Sequence, residues 1–174
     1  LERLGELQVS HARLRVLAPE LHIDTRLPRI DLRMRVDGPR IRGGANAWLR
    51  DGATPFTIAL DFDRKTGDGR AYAGTRKADL REVAGKFALA GITPTSGRGR
   101  VQTWGELDGG RVVALHADAA LSDVALRGAP MQAGEAAPTQ VLGQLQLDAR
   151  WRGSVRQWRA DAARLRIGKG EGEQ

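Results

Sequence analysis

Residues 29–37 read Arg-Ile-Asp-Leu-Arg-Met-Arg-Val-Asp, and this alternation leaves the backbone little choice. Ile30, Leu32, Met34 and Val36 share one parity; Arg29, Asp31, Arg33, Arg35 and Asp37 share the other. An extended chain points successive side chains to opposite faces, so the segment predicts a strand that is apolar on one surface and charged on the other. A helix would spread those charges around its circumference. One-sided strands belong to antiparallel sheets with one face toward water.

Much of the chain repeats this pattern more faintly. Upstream, strands are predicted over residues 4–9, 11–17 and 20–27, separated at Ala18-Pro19 and ended at Pro28, because proline offers no ladder donor. Asp37-Gly38-Pro39 marks a turn into residues 40–50, where Ile41, Gly43, Ala45, Ala47 and Leu49 share a parity. Those small residues would let another group approach the sheet closely. Asp51-Gly52 turns into residues 54–63, with Phe56, Ile58, Leu60 and Phe62 opposite Thr57, Asp61 and Asp63. Residues 65–69 read as a hairpin loop before a strand over 70–74.

The period then changes. Asp79 suits an N-cap, and Leu80, Val83, Ala84, Phe87 and Ala88 follow at helical spacing, with Gly91 and Pro94 as stop signals. A short α-helix is predicted over 79–90, followed by a loop over 95–99. Strand alternation returns over 101–107, 111–121, 124–127, 141–151 and 157–167, with a long loop over 129–139. The last strand changes parity between Ala162 and Ala163, which predicts a bulge. The fold class expected is mainly β: residues 1–174 form one module, a large curved antiparallel sheet of about ten to twelve strands forming a groove, with one short α-helix. The alternative is a closed β-sandwich or barrel.

Composition narrows the function. Hydrophobic residues make up 41% of the 174, but aromatics only 5%, so apolar surfaces are built from aliphatic side chains. Twenty-eight basic against 21 acidic residues give a net charge of +7, which permits attraction to nucleic acid, anionic headgroups or acidic proteins. Single-strand readers interleave basic residues with stacking aromatics, whereas Trp48, Trp104, Trp151 and Trp158 fall one per predicted strand, which argues against nucleic acid. There are no cysteines, which removes disulfides, thiolate metal sites and cysteine nucleophiles. No run of about eighteen apolar residues reads as a membrane helix. The opening Leu-Glu-Arg-Leu-Gly-Glu lacks the regions of a signal peptide, and the chain reads as a piece of something longer, with any targeting signal or anchor upstream.

No motif assigns a catalytic, metal or cofactor site. His11, His22 and His116 each fall on the polar parity of a strand; His11 and His22 would approach each other if their strands paired, but solvent-facing histidines are the ordinary reading. Asp61, Asp63 and Asp68 around Gly67 and Gly69 resemble fragments of a calcium loop without its spacing or its closing glutamate. Ser10, Ser96, Ser122 and Ser154 lie in no nucleophile-elbow pattern. Ser96-Gly97-Arg98-Gly99-Arg100 is glycine-rich and basic without phosphate-loop spacing; it reads as a turn able to contact an anionic headgroup.

The remaining question is what the apolar faces cover. One three-turn helix cannot hide a sheet of this size. Either the sheet closes on itself or it curls around acyl chains, with Ile30, Leu32, Met34, Val36, Phe56, Ile58, Leu60 and Phe62 as lipid-contact candidates. Two stretches carry a resemblance. The first runs from Ala-Asp-Leu-Arg-Glu-Val-Ala (78–84) through Gly-Arg-Gly-Arg-Val-Gln-Thr-Trp-Gly-Glu-Leu-Asp-Gly-Gly-Arg-Val (97–112) to Leu-Ser-Asp-Val-Ala-Leu-Arg-Gly (121–128). The second is Leu-Asp-Ala-Arg-Trp-Arg-Gly (147–153) with Gln-Trp-Arg-Ala-Asp (157–161). Both resemble the repeated strand units of the YhdP and AsmA-like envelope family, over about half the chain. The resemblance implies a periplasmic conduit that moves phospholipid between inner and outer membranes along a β-groove. The partners it implies are acyl chains, anionic headgroups and the rest of a longer chain anchored in the inner membrane. It implies no catalytic residues and no cofactor. The alternative is a structural β-domain that binds a protein partner in the cell envelope.

Overall fold

Antiparallel alternation dominates the molecule. In a computed structural model that describes residues 5–18, 23–82, 93–128, 136–153 and 157–168, nine strands form one sheet. They are β1 (Glu6–Ala18), β2 (Ile23–Asp37), β3 (Arg40–Trp48), β4 (Phe56–Asp63), β5 (Gly69–Asp79), β6 (Thr93–Asp108), β7 (Arg111–Arg127), β8 (Thr139–Gly153) and β9 (Trp158–Gly168). Spatial order equals chain order, so every strand pairs antiparallel with its sequence neighbours. The sheet is not closed into a barrel: β1 and β9 form its two edges, and no second sheet faces it among the described residues.

The expected class is therefore right and the expected closed alternative is not what forms. Nine strands stand where the alternation suggests about ten to twelve, because three apparent breaks are irregularities inside continuous strands. His11 sits in a left-handed conformation (φ 57°), and register shifts between Val9 and Leu14 mark a bulge, so residues 6–18 run as one strand. Pro28 does not end β2. It falls within that irregular stretch on the β1 side, and pairing with β3 starts only at Arg29, so neither neighbour needs its missing N–H. Asp123 (φ 52°) lies inside the 17-residue β7 rather than between two strands. The bulge expected in the last strand is present: Asp148 pairs Arg164 and Ala149 pairs Ala162, leaving Ala163 unmatched.

Two other expectations are corrected. The 95–99 segment is not a loop but part of β6; β5 pairs with β6 only as far as Asp79 opposite Arg98, so Pro94 faces no donor-seeking neighbour on that side. Gly99 (φ 149°) allows the close approach of β7 there, since a Cβ would lie 2.1 Å from the Ala120 carbonyl oxygen. The helix expected over 79–90 begins instead as the end of β5 and a single 3-10 turn, Leu80–Glu82; residues 83–90 lie outside the described residues. Asp79 still caps that turn, accepting the Arg81 backbone N–H at 3.1 Å. Of the 129–139 loop, residues 136–138 are irregular, Thr139 opens β8, and 129–135 lie outside the described residues.

Apolar burial is concentrated at one corner. Leu121, Val124 and Leu142 are buried together, with Leu80, Val101, Ala119, Leu126 and Leu145 packed around them. Leu121 and Val124 have opposite parity; the left-handed Asp123 between them breaks the alternation and allows both into one cluster. Elsewhere Leu27, Ala47 and Ala78 are buried singly among the described residues, and most other large apolar side chains stay partly or fully exposed. The accessible surface is 12981 Å², against about 8,300 Å² for a compact monomer of this mass.

Candidate functional site

Strand register places the eight lipid-contact candidates on a single face. Directly paired residues of antiparallel strands project to the same side, and the pairs form cross-strand rows through β2, β3 and β4. These are Ile30–Ala47–Phe56, Leu32–Ala45–Ile58, Met34–Gly43–Leu60 and Val36–Ile41–Phe62. All eight are thus brought together. The same face extends outward on one side to Leu7, Val9 and Ala12 of β1. On the other it crosses Gly69, Ala71 and Ala73 of β5, reaches Leu115 and Ala117 of β7, and ends at Leu165 and Ile167 of β9.

Side-chain size gives this face relief. β2 and β4 present large residues, whereas β3 between them presents Gly43, Ala45 and Ala47, and β5 beyond presents Gly69, Ala71 and Ala73. Strands two apart lie about 9.6 Å from each other, and six residues of strand span about 20 Å. The small residues therefore floor two shallow furrows separated by the β4 ridge of Phe56, Ile58, Leu60 and Phe62. The apolar face is incompletely covered along its breadth. Leu60 is 37% exposed, Leu115 45%, and both Leu165 and Ile167 58%, values that a sealed core of Leu and Ile does not show.

The opposite face is polar and in part paired within itself. Arg40 holds Asp61 through two hydrogen bonds of 2.6 and 2.8 Å, Arg33 pairs with Glu6, Arg29 with Asp31, and Arg100 with Asp118. The Arg40 hydrogen bond draws the Asp61 carboxyl below its ordinary range, and the Arg29 hydrogen bond, helped by the His11 backbone N–H, does the same for Asp31. Tyr72, Trp104 and His116 form a ladder across β5, β6 and β7, with ring centroids 5.6 and 5.0 Å apart. His116 Nε2 lies 3.0 Å from Asp148 Oδ1. The Arg29 guanidinium stacks 4.2 Å over the Trp48 ring. These charges and rings are thus directed at each other.

The other sequence candidates are dispersed. Asp63 Oδ1 accepts the backbone N–H groups of Lys65 and Thr66, and Asp68 Oδ1 accepts that of Gly109, so these carboxylates close turns. Among the described residues, no group of three or more His, Asp or Glu side chains is placed to hold a metal. His11 donates its backbone N–H to Asp31 at 2.7 Å, while His22 and Ser154 lie outside the described residues. Ser96 and Ser122 donate to backbone carbonyls of Asp123 and Arg98. Trp48 and Trp104 project to the polar face and Trp151, opposite Leu115, to the apolar one. The aromatic ladder escaped sequence reasoning because it depends on register across three strands, and the register shift between Glu106 and Leu107 hides it from spacing alone. No helix among the described residues is long and apolar enough to cross a membrane. No protein-family model, curated protein or solved structure matches this chain.

Proposed function

We propose that the chain is a lipid-binding or lipid-conduit module whose apolar sheet face solvates phospholipid acyl chains. The observation that carries this reading is a continuous aliphatic face across nine strands that leaves Leu60, Leu115, Leu165 and Ile167 exposed, while the only clustered core among the described residues is the corner of Leu121, Val124 and Leu142. An acyl chain is linear, flexible and unable to hydrogen-bond. A furrow floored by Gly43, Ala45 and Ala47 and walled by Leu32, Met34, Ile58 and Leu60 suits it, since dispersion contacts line its length and no polar group is stranded. The role needs no covalent chemistry. Arginines on the reverse face keep that surface in water and fix which side meets lipid.

The resemblance to the AsmA-like envelope family supports a periplasmic position for such a module. There it would form one stretch of a groove belonging to a longer chain anchored in the inner membrane, carrying phospholipid toward the outer membrane. The test is co-purification. Protein prepared without detergent is expected to carry phospholipid detectable by native mass spectrometry. The double substitution Leu32→Asp and Ile58→Asp, in one cross-strand row, is expected to abolish it while the circular dichroism of the sheet persists. A folded double variant that retains its lipid would defeat the proposal.

A second reading, a structural domain that binds a protein partner, draws on the two sheet edges. β1 and β9 each pair on one side only among the described residues, and such edges accept an added strand. Lipid-free protein that forms a defined complex with an envelope partner would favour it.

A further inference from the structure

At the end of the sheet near the β3–β4 turn, strand β5 outruns its neighbour. Pairing of β4 with β5 stops at Thr57 opposite Gly74, so residues 75–79 extend past β4 with only β6 beside them. The 50–53 turn, closed by the Ala53 N–H on the Arg50 carbonyl at 3.3 Å, stands across the gap. Between them lies a cavity of about 450 Å³ whose charged lining is Arg50, Arg76, Lys77, Arg98 and a single carboxylate, Asp79.

Local structure explains how so many cations face one space. In a regular strand Arg76 and Lys77 would point to opposite faces. A bulge between Thr75 and Ala78 removes that alternation, and the Lys77 N–H turns back onto Thr75 Oγ1 at 3.3 Å, so both residues border the cavity. Arg98 arrives from the next strand, directly opposite Asp79. The carboxylate is already engaged: Arg81 Nε donates to both its oxygens at 2.9 and 3.1 Å. The side chains of Arg76, Lys77 and Arg98 hydrogen-bond to nothing among the described residues. Arg33, Arg40 and Arg100 elsewhere on the polar face are instead matched by Glu6, Asp61 and Asp118, and what sets this group apart is its convergence on one cavity.

We propose that this notch is a binding site for a phosphate group, either free or borne by a lipid headgroup. Two guanidinium forks and an ammonium around one concavity match the charge and the several acceptor oxygens of a phosphate better than those of a monovalent anion. The cavity also leaves room for more than the phosphate itself. The site stands on its own charges and does not require the apolar face to bind lipid.

Isothermal titration with inorganic phosphate, and sedimentation with phosphatidylcholine vesicles with and without phosphatidic acid, test it at one fixed salt concentration. Inorganic phosphate is expected to bind saturably at one site, and the Arg76→Gln/Arg98→Gln variant to weaken it about tenfold or more. The charge-matched Arg164→Gln/Arg166→Gln variant on β9 should bind as the wild type does. Phosphate-displaceable binding to the phosphatidic acid vesicles assigns the headgroup; saturable phosphate binding without vesicle binding assigns a free anion. Lys77→Gln, on the exposed bulge, supplies the comparison if the double variant does not fold. Leu32→Asp/Ile58→Asp should keep its phosphate affinity, which separates failure of this site from failure of the acyl-chain reading. Absence of saturable binding to both probes, or equal weakening by the β5–β6 and β9 variants, overturns the proposal.

Discussion

One sheet face contains two regions of the same chemistry and opposite fate. At the corner of Leu121, Val124 and Leu142, Val124 is wholly buried, because Leu80 from the 3-10 turn and the kinked backbone at Asp123 fold apolar atoms over it. A few strands away, Leu60 and Leu165 sit on equally regular strands and remain substantially exposed. Residue type does not distinguish them. What lies above the sheet does, so the corner acts as the core and the open field is surface available to a ligand.

Substitutions can break that contrast, starting where packing is tightest. Gly99→Ala places a Cβ against the Ala120 carbonyl in a conformation that L-residues rarely adopt, and should cost about 3 kcal/mol in urea unfolding. Leu121→Ala empties part of the corner and should cost about 2–3 kcal/mol by the same measurement. Leu165→Ala removes a similar side chain from the open field and should change stability by no more than about 0.5 kcal/mol. Equal losses at Leu121 and Leu165 would mean that the open field is packed against something in solution.

Between these extremes lies an electrostatic test of the corner's lid. Asp79 anchors the 3-10 turn that carries Leu80, and its hydrogen bonds from the Arg81 side chain draw its carboxyl down from 3.8 to about 2. A depressed carboxyl contributes stability that is complete above its ordinary value and is lost as pH falls through about 2. Asp79→Asn should therefore lower stability at neutral pH by about 1 kcal/mol after allowance for solvent screening. The gap between variant and wild-type melting temperatures should narrow from pH 4 downward toward about 2. A gap independent of pH would detach the carboxylate from the lid.

Much of this was legible in the residues, and the exceptions have physical causes. Parity in 29–37 and 54–63 separated four apolar candidates from the polar residues within each strand, and the register through β3 then brings the two sets onto one face. The parity change at Ala163 announced a real bulge. Strand count was overestimated because Pro28 and Ser122-Asp123 carry the same composition whether the chain turns back or merely kinks, and only the partner strand decides. Likewise, glycines in 95–99 signalled close approach by β7 rather than a loop. The basic notch was half visible in Arg98 and its flanking glycines. Its other members come from the 50–54 turn and the β5 bulge, which sequence spacing does not connect.

The most direct test uses the absence of cysteine, since one introduced thiol can be labelled alone. Leu60 and Ala59 are adjacent, exposed and on opposite faces of β4. With an environment-sensitive fluorophore on Leu60→Cys, added phospholipid should shift emission to the blue, whereas the same label on Ala59→Cys should not respond. No shift at either position, or the same shift at both, would contradict an apolar face that takes up acyl chains.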